Sequence, residues 1–241
     1  MLTPHTLLLC IITAQMAGAT QTFANRGTTS GWDLVVHEHQ GNVSNVFYGT
    51  SGTSIKATQT YDPAYSGHYH QGDTGFYGFA FRLQSDWQFA PAQTYNLAQF
   101  IADFSDTGCA DFIPTTMVWI DGNQLATRLV TGSTCQHLTI PFNNLATVSA
   151  GVWHKVEIQA AWQNSATGFF KLWFDGVKVL EQLNVATTIG DGREFQLNLG
   201  LYANGWENDK GMEGTQPLRQ VWIDQVGIGS VFADADPARW S

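Results

Sequence analysis

Gln196-Leu197-Asn198-Leu199-Gly200-Leu201-Tyr202-Ala203-Asn204-Gly205-Trp206 alternates apolar and polar residues with a period of two. Such a run reads as a β-strand with one face in a core. Leu197, Leu199 and Leu201 take the buried side, and Gln196, Asn198, Gly200, Tyr202 and Asn204 take the other. That second side is a row of hydrogen-bonding groups ending in a tyrosine. Its glycine leaves room for a ligand to approach the backbone. The strand reads as the floor of a binding groove.

On either side of it the pattern is the same. From Trp32 onward the chain shows no helical period and no internal repeat, only short alternating or apolar runs separated by Gly, Asp and Asn. Residues 32–36, 54–59 and 95–104 read as strands, the last without a clean polar face. Residues 76–83 place Tyr77, Phe79, Phe81 and Leu83 on one side. Residues 117–125 and 171–179 read as hairpins with Asp-Gly at the turn. Between them Val152, His154, Val156, Ile158, Ala160 and Trp162 face one way, and Trp153, Lys155, Glu157 and Gln159 the other. A last strand, 220–228, should close a sheet near the N-terminal strand. Many short strands without βαβ alternation predict an all-β fold, a two-sheet jelly-roll sandwich forming a single domain over residues 20–241.

Residues 1–19 read as a secretory signal peptide, with an apolar core at 7–12 and small residues at Ala17-Gly18-Ala19, though the leader lacks Lys and Arg. No later apolar run is long enough to span a bilayer as a helix. The expected location is extracellular. Past the leader, Cys109 and Cys135 remain and should pair in an oxidising compartment, which contributes about 3 kcal/mol by restricting the unfolded chain. Asn42-Val43-Ser44 matches the acceptor motif for N-glycosylation, and a glycan on an exposed loop is expected at Asn42. The formal charge of -9 works against nucleic acid as a partner, and a polyanionic ligand would need local cations to outweigh it. Charged and aromatic residues make up 13% each, which suits a secreted protein that handles carbohydrate.

Three constellations bear on chemistry. His37-Glu38-His39 and His68-Tyr69-His70 each put two imidazoles on one face of a strand, as jelly-roll metal sites do. The glutamate that cupin-type sites place just after such a pair is absent, since Gln71-Gly72-Asp73 follows the second, and this weighs against a transition metal. Jelly-roll glucanases need a close carboxylate pair on one strand, and no Glu-x-Asp-x-x-Glu run occurs. A uronate polymer needs neither. In β-elimination a base removes the proton beside the carboxyl group and the glycosidic oxygen leaves, provided that amide, imidazolium or guanidinium donors neutralise the carboxylate. Tyr202 with Asn198, Gln99, and His68 with His70 are residues of the right types.

Asn96-Leu97-Ala98-Gln99-Phe100-Ile101-Ala102-Asp103-Phe104, Gly151-Val152-Trp153-His154-Lys155 and Gly200-Leu201-Tyr202-Ala203-Asn204-Gly205-Trp206 together resemble the glucuronan lyases, polysaccharide lyase family 20. So do Gly27-Thr28-Thr29-Ser30-Gly31-Trp32, Phe232-Ala233-Asp234-Ala235-Asp236-Pro237 and the segment around Asp209-Lys210-Gly211. The resemblance covers essentially the whole chain after the leader. It implies an extracellular β-jelly-roll endo-lyase, expected as a monomer, acting on β-1,4-linked polyglucuronate and holding a structural Ca2+ ion. More distantly, Gln99 and Tyr202 fall where alginate-lyase-like jelly rolls keep a carboxylate-neutralising Gln and a catalytic Tyr. The expected roles are Tyr202 as base and acid, Gln99 and His68 as neutralisers, and His70 as a second base or positioning group. Asn198, Asn204 and Trp206 would bind sugar, and Asp224, Asn25 and Glu38 are the candidate calcium ligands.

One departure bears on activity. Where the family pattern reads Arg-Tyr-His-Ser-Glu, this chain has His68-Tyr69-His70-Gln71-Gly72. Histidine replaces arginine electrostatically only when protonated, which implies an acidic optimum, a changed uronan preference such as alginate, or carbohydrate binding without catalysis.

Overall fold

Twelve strands form two six-stranded sheets in a computed structural model that describes residues 21–25, 68–203 and 219–240. The leader, the strands expected at 32–36 and 54–59, the His37 pair and Asn42 lie outside the described residues. The first sheet orders β1 (Gln21–Asn25), β12 (Val221–Gly229), β3 (Thr74–Leu83), β8 (Trp153–Ala161), β9 (Gly168–Phe174) and β10 (Val177–Val185). The second orders β2 (His68–Tyr69), β11 (Phe195–Ala203), β4 (Thr94–Asp103), β5 (Phe112–Asp121), β6 (Gln124–Ser133) and β7 (Gln136–Thr147). Every strand pairing among the described residues is antiparallel. This is the expected β-jelly-roll sandwich. The final strand does pair with β1, and it also pairs with β3, so it lies inside its sheet.

The core lies between the sheets because both inner faces are the apolar halves of alternating strands. Tyr77, Phe79, Phe81 and Leu83 of β3 and Val156 and Ile158 of β8 meet Leu97 and Phe100 of β4 and Leu197 and Leu199 of β11. Both expected hairpins form. Asp175-Gly176 turns β9 into β10 with positive φ at both residues, as a type I′ turn requires. The other turn is centred one residue later than expected, on Gly122-Asn123, because Asp121 pairs with Gln124. Cys109 and Cys135 are joined in a disulfide, with Cα atoms 5.2 Å apart. It ties the β4–β5 connection to the β6–β7 turn.

A four-residue helix, α1 (Phe232–Ala235), packs against β3, β8 and β12 of the first sheet. Gly78 permits this, since a Cβ there would collide with the carbonyl oxygen of Ala235. Glu157, in register with Gly78, was expected on a polar face but is only 1% exposed, and neither of its carboxylate oxygens has a partner. Burial raises its carboxyl to about 7, with the charge of Asp236 adding to the effect and Lys155 opposing it. Between pH 4.5 and about 7 the folded protein therefore holds a proton that the unfolded chain has lost. Stability falls as pH rises through that window, by about 3 kcal/mol in all. Glu157→Gln should raise the midpoint of thermal unfolding by several degrees at pH 8 and leave it nearly unchanged at pH 4. An unaltered gap between the two pH values would show that Glu157 does not carry the effect.

Candidate active site

Cross-strand partners share a face, so the register of the second sheet shows which side chains line its outer surface. One row runs Asn198 on β11, Gln99 on β4, Met117 on β5 and Arg128 on β6. A second runs Tyr202, Asn96, Trp119 and Ala126. A third begins with His68 on β2 and continues through Gln196, Ile101 and Pro114. The structure thus brings Tyr202, Gln99, Asn198 and His68 together on neighbouring strands. Residues Asn204 and Trp206 follow β11 outside the described residues.

Tyr202 shares the face of Asn198, and so of Gln99, by simple alternation along β11, and Asn96 joins them because of irregularities in the ladder. The β4–β5 register shifts between Asn96 and Ala98, and the β11–β4 register shifts between Leu199 and Tyr202. The bulge turns Asn96 and Gln99, an odd number of residues apart, to the same side. The alternation of β11 survives the second shift, with Leu201 only partly buried and Ala203 reaching the core. Asn96 and Asn198 are each 4% exposed, although they lie on the outer face of the sheet. Tyr202 on the same face is 40% exposed.

The hydrogen bonds orient the amides. Asn96 Nδ2 donates to Gln99 Oε1 at 3.0 Å. With its oxygen engaged, Gln99 presents the N–H groups of its Nε2 to an incoming ligand. The Oδ1 atoms of Asn96 and Asn198 are buried without partners. Asn96 and Trp119 were not singled out in the sequence. The only local signal was the absence of a clean polar face in residues 95–104, which marks the bulge. Trp119 is half-buried beside Asn96 in the same row.

His68 and His70 are aimed by the residue between them. Tyr69 is fully buried, stacked between Trp162 at 3.9 Å and Phe195 at 4.8 Å. Its hydroxyl bonds with those of Thr115 at 2.5 Å and Thr188 at 2.8 Å. Burial drives its ionisation well above the usual tyrosine range, so it is an anchor and not a base. The two imidazoles meet edge to face at 5.3 Å. His68 Nδ1 lies 3.7 Å from Glu194, and His70 Nδ1 lies 3.8 Å from Asp73. A carboxylate beside His68 was not foreseen, and it shares any positive charge that His68 would offer a substrate.

Asp224 on β12 and Asn25 on β1 lie on adjacent strands near one another, while Glu38 is outside the described residues. Asp224 Oδ1 accepts from the Gln225 N–H at 2.7 Å. No group of three or more His, Cys, Asp or Glu side chains that could hold a metal occurs among the described residues. The described part of this set supplies one carboxylate, short of the oxygens calcium takes, and the chemistry below uses no metal.

A family model described as polysaccharide lyase matches residues 24–227. Among solved structures, the endo-β-1,4-glucuronan lyase of the fungus Trichoderma reesei is 50% identical, with a TM-score of 0.77, and the match covers 90% of this chain and 99% of that one. The alginate lyase A1-II′, of polysaccharide lyase family 7, is 14% identical over 78% of this chain and 71% of its own, with a TM-score of 0.43. The binding domain of botulinum neurotoxin serotype D is 12% identical over 87% of this chain and 48% of its own, at 0.49. No curated protein gives a match. The extent of the family match and the half-identical fungal structure agree with the sequence motifs, and the chain belongs to the polysaccharide lyases.

Proposed function

We propose that this lyase cleaves β-1,4-linked polyglucuronate internally, with Tyr202 and Gln99 at the reacting sugar. The observation that carries the reading is the amide pair on the floor of the second sheet. Asn96 holds the Gln99 oxygen, so the Gln99 N–H groups face a substrate carboxylate two rungs from Tyr202. Those donors take up charge that builds on the carboxylate as the C5 proton leaves. Tyr202, as phenolate, removes that proton, the C5 electron pair forms the C4–C5 double bond, and the C4–O4 bond breaks. Tyr202 then returns the proton to the departing O4. Asn198 accepts from a sugar hydroxyl, and His70, exposed beside Asp73, is a second candidate base. Identity with the fungal glucuronan lyase supports the choice of polymer.

The same proposal places the enzyme outside the cell, which the leader-like residues 1–19 and the disulfide support. No described helix is long and apolar enough to cross a membrane.

Ultraviolet absorbance of the unsaturated uronate tests the reaction, measured on polyglucuronate and on alginate. Polyglucuronate should give a rising signal at least about ten times faster than alginate, with a rapid fall in viscosity marking internal cleavage. A faster signal on alginate would move the specificity to that polymer. Binding of both without any signal would leave a carbohydrate-binding protein in place of an active enzyme.

A further inference from the structure

The protein carries a formal charge of -9, yet its proposed substrate is a polyanion. The second sheet contains one cation suited to this conflict. Arg128 shares the outer face of the row Asn198–Gln99–Met117, because Leu125 and Leu129 on the same strand point into the core. Its Nη2 donates to the carbonyl oxygen of Pro114 at 3.1 Å. Pro114 belongs to the His68 row, so the guanidinium lies along the face and not away from it. That bond uses one of the five N–H donors of an arginine. Its Nε is buried without a partner, and none of the ion pairs among the described residues involves it.

Arg193 shows the contrast. It is engaged by Asp106 at 2.9 Å and Asp191 at 3.0 Å and has no charge to spare. A half-buried guanidinium without a counter-ion is costly unless something supplies the anion. With Nε buried and one Nη2 proton given to Pro114, Nη1 and the other Nη2 proton form the open end of the fork, which matches a carboxylate in two-point contact.

We propose that Arg128 is a second carboxylate subsite, binding a uronate of the same polymer chain beyond the one held at Gln99. Two strand spacings separate Arg128 from Gln99, about 10 Å, which suits a uronate roughly two rings away. The inference rests on the substrate reading above and makes it more specific, since the enzyme then requires acid groups away from the cleaved bond. Arg128 would set affinity and selectivity and leave the chemical step alone.

The test uses the full chain carrying Tyr202→Phe, so that ligand survives, and compares tetraglucuronate with cellotetraose, its uncharged counterpart, by calorimetry. The parent should prefer the acid, and Arg128→Gln should cut that preference about 30-fold, with Arg128→Lys recovering part of it. In the active background, KM for polyglucuronate should rise by a similar factor with kcat within about twofold. An unchanged preference in Arg128→Gln overturns the inference while leaving the lyase intact. A drop in kcat and thermal stability with undiminished acid preference in the folded fraction would make Arg128 a structural residue and overturn it as well. A parent that neither binds tetraglucuronate nor, with Tyr202 restored, cleaves polyglucuronate would instead take down the substrate reading itself, and the subsite with it.

Discussion

Tyr202→Phe should lower kcat on polyglucuronate by at least about 10³-fold while changing KM only a few-fold. The hydroxyl is the single atom removed, and the ring is 40% exposed at the end of β11, so packing should hardly change. Its thermal midpoint should stay within a few degrees of the parent, because the aromatic ring is kept. The effect is large because the hydroxyl performs both proton transfers in the proposed step. If His70 were the base instead, Tyr202→Phe would keep most of the rate and His70→Asn would lose it. Measuring both variants by absorbance of the unsaturated product therefore assigns the base. His70 is 41% exposed at its side chain and lies beside Asp73, so its replacement should also be well tolerated by the fold.

Asn96→Asp should cost about 10²-fold in kcat at neutral pH and regain much of it in acid. Asparagine donates from Nδ2 to Gln99 Oε1, and this fixes which end of the Gln99 amide faces the substrate. An ionised aspartate only accepts. It would draw the Gln99 N–H toward itself and turn the carbonyl oxygen toward the uronate, so that acceptor meets acceptor where a donor is needed. Once protonated, the aspartate can donate again and the amide can return. Asn96 is nearly buried, which disfavours the charged form, so recovery should begin above the usual carboxylate range. The pH profile of kcat for Asn96→Asp, set against that of the parent, checks this. A merely structural role would lower stability without producing recovery in acid, and a neutral-pH rate equal to that of the parent would remove Asn96 from the argument. The residue acts through Gln99, which makes it a positioning residue.

Most of the second sheet was legible strand by strand. The alternation of 196–202 assigned Leu197 and Leu199 to the core and Asn198 and Tyr202 to the outer face, and the structure keeps all four there. Asp-Gly pairs marked both hairpins, because φ > 0 at the turn is chemistry that a few residues can state on their own. Gln99 and Tyr202 were reached by residue type and then by motif resemblance, and they stand two rungs apart on paired strands. Asn96 was not reached, since period two places residues 96 and 99 on opposite faces. Only the bulge against β5 reverses that.

Local pattern thus determined by itself the all-β class, the turns, and which half of most strands is apolar. These depend on steric preferences and solvation within a few residues. The tertiary structure decided the rest: the register that sets Tyr202 opposite Asn96, the carboxylate beside His68, the burial of Glu157 beneath α1, and the unpaired charge of Arg128 in the Gln99 row. Each depends on strands and segments distant along the chain, and a side chain's partners and its access to water are set only when those segments meet.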